Sequence, residues 1–158
     1  MSTSSDPSSP TTSSQQQQPT IIKSTLLKVG CVGGGQLGRM LALEAPRLNL
    51  TMTFLDPSGP TSPAALAAGP SNAISGALKD PAALRTLAKD CDVVTCEIEH
   101  IGVDGLAALE REGLNVQPGS RVVGIIQDKF EQKRYFEKEG IPLAPFRRVG
   151  GLEDVRAA

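Results

Sequence analysis

The sequence has no tryptophan, one tyrosine and four phenylalanines, so aromatic side chains make up 3% of its 158 residues. Recognition of nucleic acid by stacking bases on aromatic rings is therefore not expected. An excess of one charge is also missing: 16 lysines and arginines stand against 17 aspartates and glutamates, a net charge of −1. That balance leaves no electrostatic footprint for nucleic acid. No apolar run approaches the roughly 20 residues of a membrane-spanning helix. The amino-terminal stretch lacks the basic start and apolar centre of a secretory signal, and no arginine precedes Arg39, which argues against a mitochondrial presequence. The three cysteines, Cys31, Cys91 and Cys96, have no zinc spacing and cannot all pair. They read as reduced thiols, the default for a cytoplasmic protein.

What is present begins with a polar leader. Met1–Thr20 is Ser, Thr, Pro and Gln with Asp6 as its single charge. It has too little apolar surface to offset its ordering entropy, so residues 1–24 are expected to be disordered.

The chain is then organised around Lys28–Met40, KVGCVGGGQLGRM. A short apolar strand enters a run of three glycines, and a helix begins at Gln36. Gly33, Gly35 and Gly38 have the spacing G-x-G-x-x-G. The first glycine permits a tight turn, the second lets an anionic ligand approach the backbone, and the third lets helix and strand pack closely. A helix N-terminus adds unpaired N–H groups and a positive dipole end. This stretch is expected to bind a phosphorylated molecule.

Strand and helix alternate from there. Strands are predicted at Lys28–Val32, Thr51–Leu55, Ala73–Ser75, Asp92–Cys96 and Leu114–Gln117. Helices are predicted at Gln36–Ala45, ended or kinked by Pro46, from Pro81 to about Lys89 behind the cap Asp80, and at Val103–Glu112, closed by Gly113. Ala64–Ala68 reads as a short helical turn. The pattern is that of an α/β fold, a parallel sheet with helices on both faces. In such a sheet the segments after the strands, Gly33–Gly35, Asp56 and Glu97–His100, gather at one edge in one crevice. Beyond it, Ser120–Gln127 and the charged Asp128–Glu139 read as helices, Pro145–Val149 as a new strand, and Leu152–Ala158 as the start of a helix. This organisation divides into residues 25–126 as a Rossmann-like domain and 127–158 as the beginning of a second, truncated one.

Several side chains could carry chemistry. Asp56 ends the second strand, eighteen residues after Gly38. An acid there can hold the ribose hydroxyls of a dinucleotide or cap the turn Asp56-Pro57-Ser58-Gly59. If the fourth strand continues past Cys96, Glu97 and Glu99 share a face, with Ile98 turned into the core. Two carboxylates at a strand end could bind an amine, a hydroxyl or a cation. His100 is the only histidine, and reads as a hydrogen-bonded structural residue. Lys129 and Lys133 lie four apart on one face of the charged helix, a solvated face by default.

Taken together, VGGGQLGRML, the D-P turn, T-C-E-I-E-H-I and Q-D-K-x-x-Q-K-x-x-F resemble the ATP-grasp enzyme 5-(carboxyamino)imidazole ribonucleotide synthetase. In fungi that module is the N-terminal part of phosphoribosylaminoimidazole carboxylase. The four motifs occur in the family's order, from about Val29 to Val149. The resemblance implies a pre-ATP-grasp domain of Rossmann-like fold, followed by the start of an ATP-grasp domain. It also implies de novo purine synthesis, with ATP and Mg2+ activating bicarbonate to carboxylate the amine of aminoimidazole ribonucleotide. By matching position, Gly34, Gly35, Gln36 and Leu37 would line the site of the substrate's ribose phosphate. Glu97 and Glu99 would face the aminoimidazole, and Lys129 would contact ATP. The family's magnesium carboxylates, adenine pocket and second ATP lysine match nothing in this chain, so it is expected to be inactive alone. Members often form homodimers, but no residue here marks an interface.

Three other functions compete with this one. Formate-dependent glycinamide ribonucleotide transformylase shares the first domain, although its turn is typically followed by E-L-G-K rather than Q-L-G-R. An NAD-binding oxidoreductase domain would use Asp56 on a ribose, and leaves Glu97, Glu99 and Lys129 without a role. A non-catalytic nucleotide-binding remnant is the third.

Overall fold

The computed structural model describes residues 26–157. The expected leader, residues 1–24, lies outside them. Five parallel strands form one sheet: β1 (Leu27–Val32), β2 (Leu50–Asp56), β3 (Ala73–Ser75), β4 (Val93–Cys96) and β5 (Asn115–Val116). Their spatial order is β3-β2-β1-β4-β5. Leu27 pairs with Leu50 at one end of the β1–β2 ladder and Val32 with Leu55 at the other; Val29–Val32 pair with Val93–Cys96 on the other side. The chain therefore builds outward from β1 in one direction and then, from β4, in the other. The C-terminal ends of β1 and β4 flank the point where the order reverses, the place at which open α/β sheets form their ligand crevice.

Alternation along the central strands divides the core between two faces. Val29, Cys31, Met52 and Phe54 face one side. There they pack with Ala42 and Ala45 at the end of α1 (Gln36–Glu44) and with Ala64 of α2 (Pro63–Ala68). Val32, Leu55 and Val94 face the other. They meet Leu84 and Leu87 of α3 (Pro81–Ala88), Leu106 and Leu109 of α4 (Val103–Arg111) and Val123 of α5 (Ser120–Gln127). Each face thus has its own helical layer, as the α/β pattern requires. No helix among the described residues is long and apolar enough to cross a membrane.

Local signals explain most element ends. Asp80 caps α3 by accepting the Ala82 N–H at 2.9 Å, with Pro81 next. The cap of α5 comes from elsewhere in the chain: the Glu110 carboxylate of α4 accepts the Ser120 N–H at 2.8 Å. α1 stops at Glu44 rather than running through Ala45. Pro46, which has no N–H to donate, opens a separate 3-10 turn over Ala45–Leu48, closed by Asn49 in the left-handed region at φ 55°.

Two expectations are corrected. Residues 145–149 form no strand. Pro142 and Pro145 interrupt the segment, and its side chains pack on α6 (Lys129–Lys138) instead of pairing with a sheet edge. Phe146 stands edge-on to Phe130 with ring centres 5.9 Å apart, and the Arg148 guanidinium lies 5.6 Å from the Phe130 ring centre. β4 also ends at Cys96, so Glu97–Glu99 do not continue the strand alternation.

Phe54, fully buried between β2 and the α1/α2 layer, tests this packing. Phe54→Ala is expected to lower the unfolding free energy by about 3–5 kcal/mol, read as a lower urea midpoint at unchanged slope. A loss below about 1 kcal/mol would contradict the packing described.

Candidate functional site at the glycine turn

Three successive backbone amides leave β1 and each has a different acceptor. Gly33 N–H donates to the Leu55 carbonyl at 2.9 Å, Gly34 N–H to Asp56 Oδ2 at 3.0 Å, and Gly35 N–H to Glu97 Oε1 at 2.9 Å. The turn is thus tied to β2 on one side and to the end of β4 on the other. Gly33 has φ +100°, and a Cβ there would stand 2.8 Å from the Glu97 side chain, so only glycine fits. Gly38 does the third task of the fingerprint: its Cβ position is 3.3 Å from Ala64 Cβ and from the Gly33 carbonyl oxygen, which lets α1 lie close on α2.

Gly35 is the extended residue before α1, and no side chain caps the helix. The first intrahelical bond joins Arg39 N–H to the Gly35 carbonyl at 2.9 Å. Gln36 and Leu37 open the helix, where geometry leaves N–H groups without an intrahelical acceptor. The four residues expected to line a phosphate site therefore fall into two pairs. Gly34 and Gly35 spend their amides on carboxylates of the protein, and Gln36 and Leu37 offer theirs at the positive end of α1.

The two glutamates also separate. Glu97 is held on the turn through Oε1, and its Oε2 has no hydrogen-bond partner among the described residues. It is a carboxylate of fixed position with one open oxygen, beside an apolar strip of Leu37, Met40 and Leu41. Glu99 points elsewhere, 3.5 Å from His100 Nε2, and both side chains are substantially exposed. The shared face expected for the pair is not formed, because the chain bends after Cys96 instead of extending.

Asp56 lies at the same edge but is turned inward. Its Oδ1 accepts the Ser58 N–H at 2.8 Å while Oδ2 holds Gly34. Both oxygens are engaged by backbone, which is the turn-capping arrangement and not a side chain presented to a ribose.

Lys129 is the first residue of α6, behind the cap Asp128, which accepts from Phe130 N–H at 2.8 Å. Its Nζ lies 3.3 Å from Gln132 Oε1. Two residues earlier, Gln127 donates through Nε2 to the carbonyls of Glu99 at 2.6 Å and Ile101 at 2.9 Å. That bond ties the loop after β4 to the start of α6, and its signal lay in the Q-D-K motif immediately before Lys129. Among the described residues no three His, Cys, Asp or Glu side chains gather into a metal-ligand set.

The cysteines are free thiols. Cys31, buried in β1 beneath the turn, has its pKa pushed from 9.0 to about 12, by burial first and then by the negative charge of Glu97. Burial also raises Cys91 and Cys96. All three are therefore kept protonated and unreactive at neutral pH.

The fold is shared with known proteins. Residues 26–127 match the family described as the ribonucleotide synthetase preATP-grasp domain. The chain belongs to that family. Among its relatives, phosphoribosylaminoimidazole carboxylase of Candida glabrata is 40% identical over 119 residues, covering 74% of this chain and 20% of that protein. N5-carboxyaminoimidazole ribonucleotide synthase of Brucella melitensis is 39% identical over 130 residues, covering 82% of this chain and 35% of that one. The crystal structure of N5-carboxyaminoimidazole synthase from Aspergillus clavatus, in complex with ADP and 5-aminoimidazole ribonucleotide, superposes with a TM-score of 0.70 at 42% identity. It covers 76% of this chain and 31% of that one. The chain thus spans about a fifth to a third of the length of these relatives. Membership of this family establishes the preATP-grasp domain and displaces the dinucleotide reading of the glycine fingerprint.

The buried thiol beneath the site makes a pH prediction. Above pH 9.0 the unfolded Cys31 thiol ionises while the folded one stays protonated up to about 12. The unfolded state then binds fewer protons, so the contribution is intact below 9 and is lost as pH rises toward 12. Cys31→Ala is expected to flatten the fall of stability between pH 9.5 and 11 by up to about 1.4 kcal/mol per pH unit. Parallel urea-stability profiles for the two proteins would contradict the assignment.

Proposed function

We propose that this chain forms the ribonucleotide-binding half of an ATP-dependent ligase that carboxylates aminoimidazole ribonucleotide with bicarbonate in de novo purine synthesis. The observation that carries the reading is the uncapped start of α1 at the sheet's reversal point, with the open oxygen of Glu97 beside it. The ribose phosphate would sit on the Gln36 and Leu37 amides, where the helix dipole favours an anion. The aminoimidazole would lie toward Leu37, with Glu97 Oε2 accepting a hydrogen bond from its amine. The Gly35 bond holds that carboxylate in place, so it enters such a contact already oriented. Glu99, exposed and paired with His100, has the weaker claim to the substrate.

ATP would meet this half at Lys129. Its ammonium, at the N-terminus of α6, is suited to phosphate oxygens, and Gln127 fixes that end of the helix to the Glu99–Ile101 loop. The described residues do not make a magnesium site, so no step is assigned to the ion here. Activation of bicarbonate needs a water-excluding enclosure, and the exposed edge of this domain alone does not provide one. The chain by itself is expected to bind but not to turn over.

Gln36→Pro is the direct test. Proline is tolerated at the first helical position, and the extended Gly35 before it (ψ −155°) is compatible with proline. The substitution deletes one donor and leaves the helix. It is expected to weaken aminoimidazole ribonucleotide binding by roughly 10- to 100-fold by calorimetry, with stability changed by less than about 0.5 kcal/mol. Unchanged affinity would contradict the phosphate placement, and binding of NAD without binding of the ribonucleotide would overturn the function.

A further inference from the structure

We propose that Asp56 is a positioning residue for the phosphate site: it never touches the ligand, but fixes the peptide of Gly34 so that the amides beyond it face outward. The inference rests on the phosphate placement above and extends it to a residue outside the ligand shell. An aspartate near a bound phosphate is at first sight unfavourable, because two anions repel. Its place at this edge is explained by what its oxygens do.

Each polar group around Gly34 is accounted for. Gly34 N–H donates to Asp56 Oδ2 at 3.0 Å, and its carbonyl accepts the Ala64 N–H at 2.9 Å from the first turn of α2. Asp56 is itself held from both sides. Its Oδ1 accepts Ser58 N–H at 2.8 Å, and its backbone carbonyl accepts Gly76 N–H at 3.2 Å from just beyond β3. Ser62, fully buried, starts α2 by accepting the Ala65 N–H at 3.3 Å. The end of β2 and the start of α2 therefore clamp Gly34 by its N–H and its C=O, which belong to the two successive peptide groups flanking its Cα. A carboxylate suits this task because it offers acceptors only, and a charged acceptor makes the stronger bond to a backbone N–H. It also occupies the Gly34 donor, so an incoming phosphate is directed to Gln36 and Leu37.

The experiment compares the whole chain with Asp56→Ala and Asp56→Asn. Dissociation constants are measured for aminoimidazole ribonucleotide and for inorganic phosphate, and hydrogen exchange is followed at the Gly34, Gln36 and Leu37 amides. Asparagine keeps one acceptor oxygen for Gly34 and alanine keeps none. The expected result is a loss of roughly tenfold for both ligands in Asp56→Ala, with recovery to within about threefold of the parent in Asp56→Asn. Gly34 exchange should accelerate only in the alanine variant. A loss confined to the ribonucleotide would mean that Asp56 grips the ribose, and equal affinity in all three proteins would mean that the clamp has no effect; either overturns the proposal. If the parent chain binds neither ligand, the phosphate placement itself fails. The positioning role falls with it, and exchange tells the two failures apart: faster Gly34 exchange with shifted Gln36 and Leu37 resonances in Asp56→Ala leaves the backbone clamp standing without its ligand, and an effect limited to Ser58 removes the clamp as well.

Discussion

Three consecutive backbone N–H groups at Gly33, Gly34 and Gly35 find their acceptors on two different strands' ends, and the site depends on that arrangement. A glycine run has the largest conformational entropy to lose on folding. Here each residue is tied by a separate hydrogen bond, two of them to carboxylates. The result is a turn with little freedom, placed where the sheet order reverses. The helix that follows begins without a cap because Gly35, the residue before it, has no side chain to accept from the first-turn amides. An uncapped helix start carries unsatisfied donors in the apo protein. An anionic ligand would satisfy them.

The same arrangement gives two acidic residues different work. Asp56 spends both oxygens inside the protein, whereas Glu97 spends one and leaves one open. Carboxylates close to an anion site are unfavourable unless they are partnered or needed. The inner acid is bonded to backbone on both oxygens, and under the proposed function the outer one would meet the substrate amine. Farther along, Glu110 caps α5 and Gln127 holds the loop after β4, so the elements that would carry ATP contacts are joined to the same edge.

Much of this was legible in the sequence because it is local. The Asp80-Pro81 start of α3 and the Gly113 stop of α4 depend on neighbours a few residues away. So does the strand–glycine–helix unit itself. The alternation of strand and helix along the chain predicted a sheet covered on both faces, and Val29, Cys31, Met52 and Phe54 against Val32 and Leu55 fill those two faces. What could not be read was long-range. The Gly34–Asp56 and Gly35–Glu97 bonds join residues 22 and 62 apart. No local pattern says that one acid will turn inward and the other outward. The bend after Cys96, which separates Glu97 from Glu99, likewise overrode an alternation that the residues alone would have extended. Pro145–Val149 has strand-like composition but packs on α6 through Phe146 and Arg148.

Under the proposed function the open amides of α1, and not the glycine amides before them, receive the phosphate of a ribonucleotide. A crystal structure of this chain with aminoimidazole ribonucleotide tests it most directly. Phosphate oxygens are expected at hydrogen-bond distance from the Gln36 and Leu37 nitrogens, with the Gly34–Asp56 and Gly35–Glu97 bonds intact. A phosphate seated elsewhere, or one that displaces Asp56 from Gly34, would contradict it.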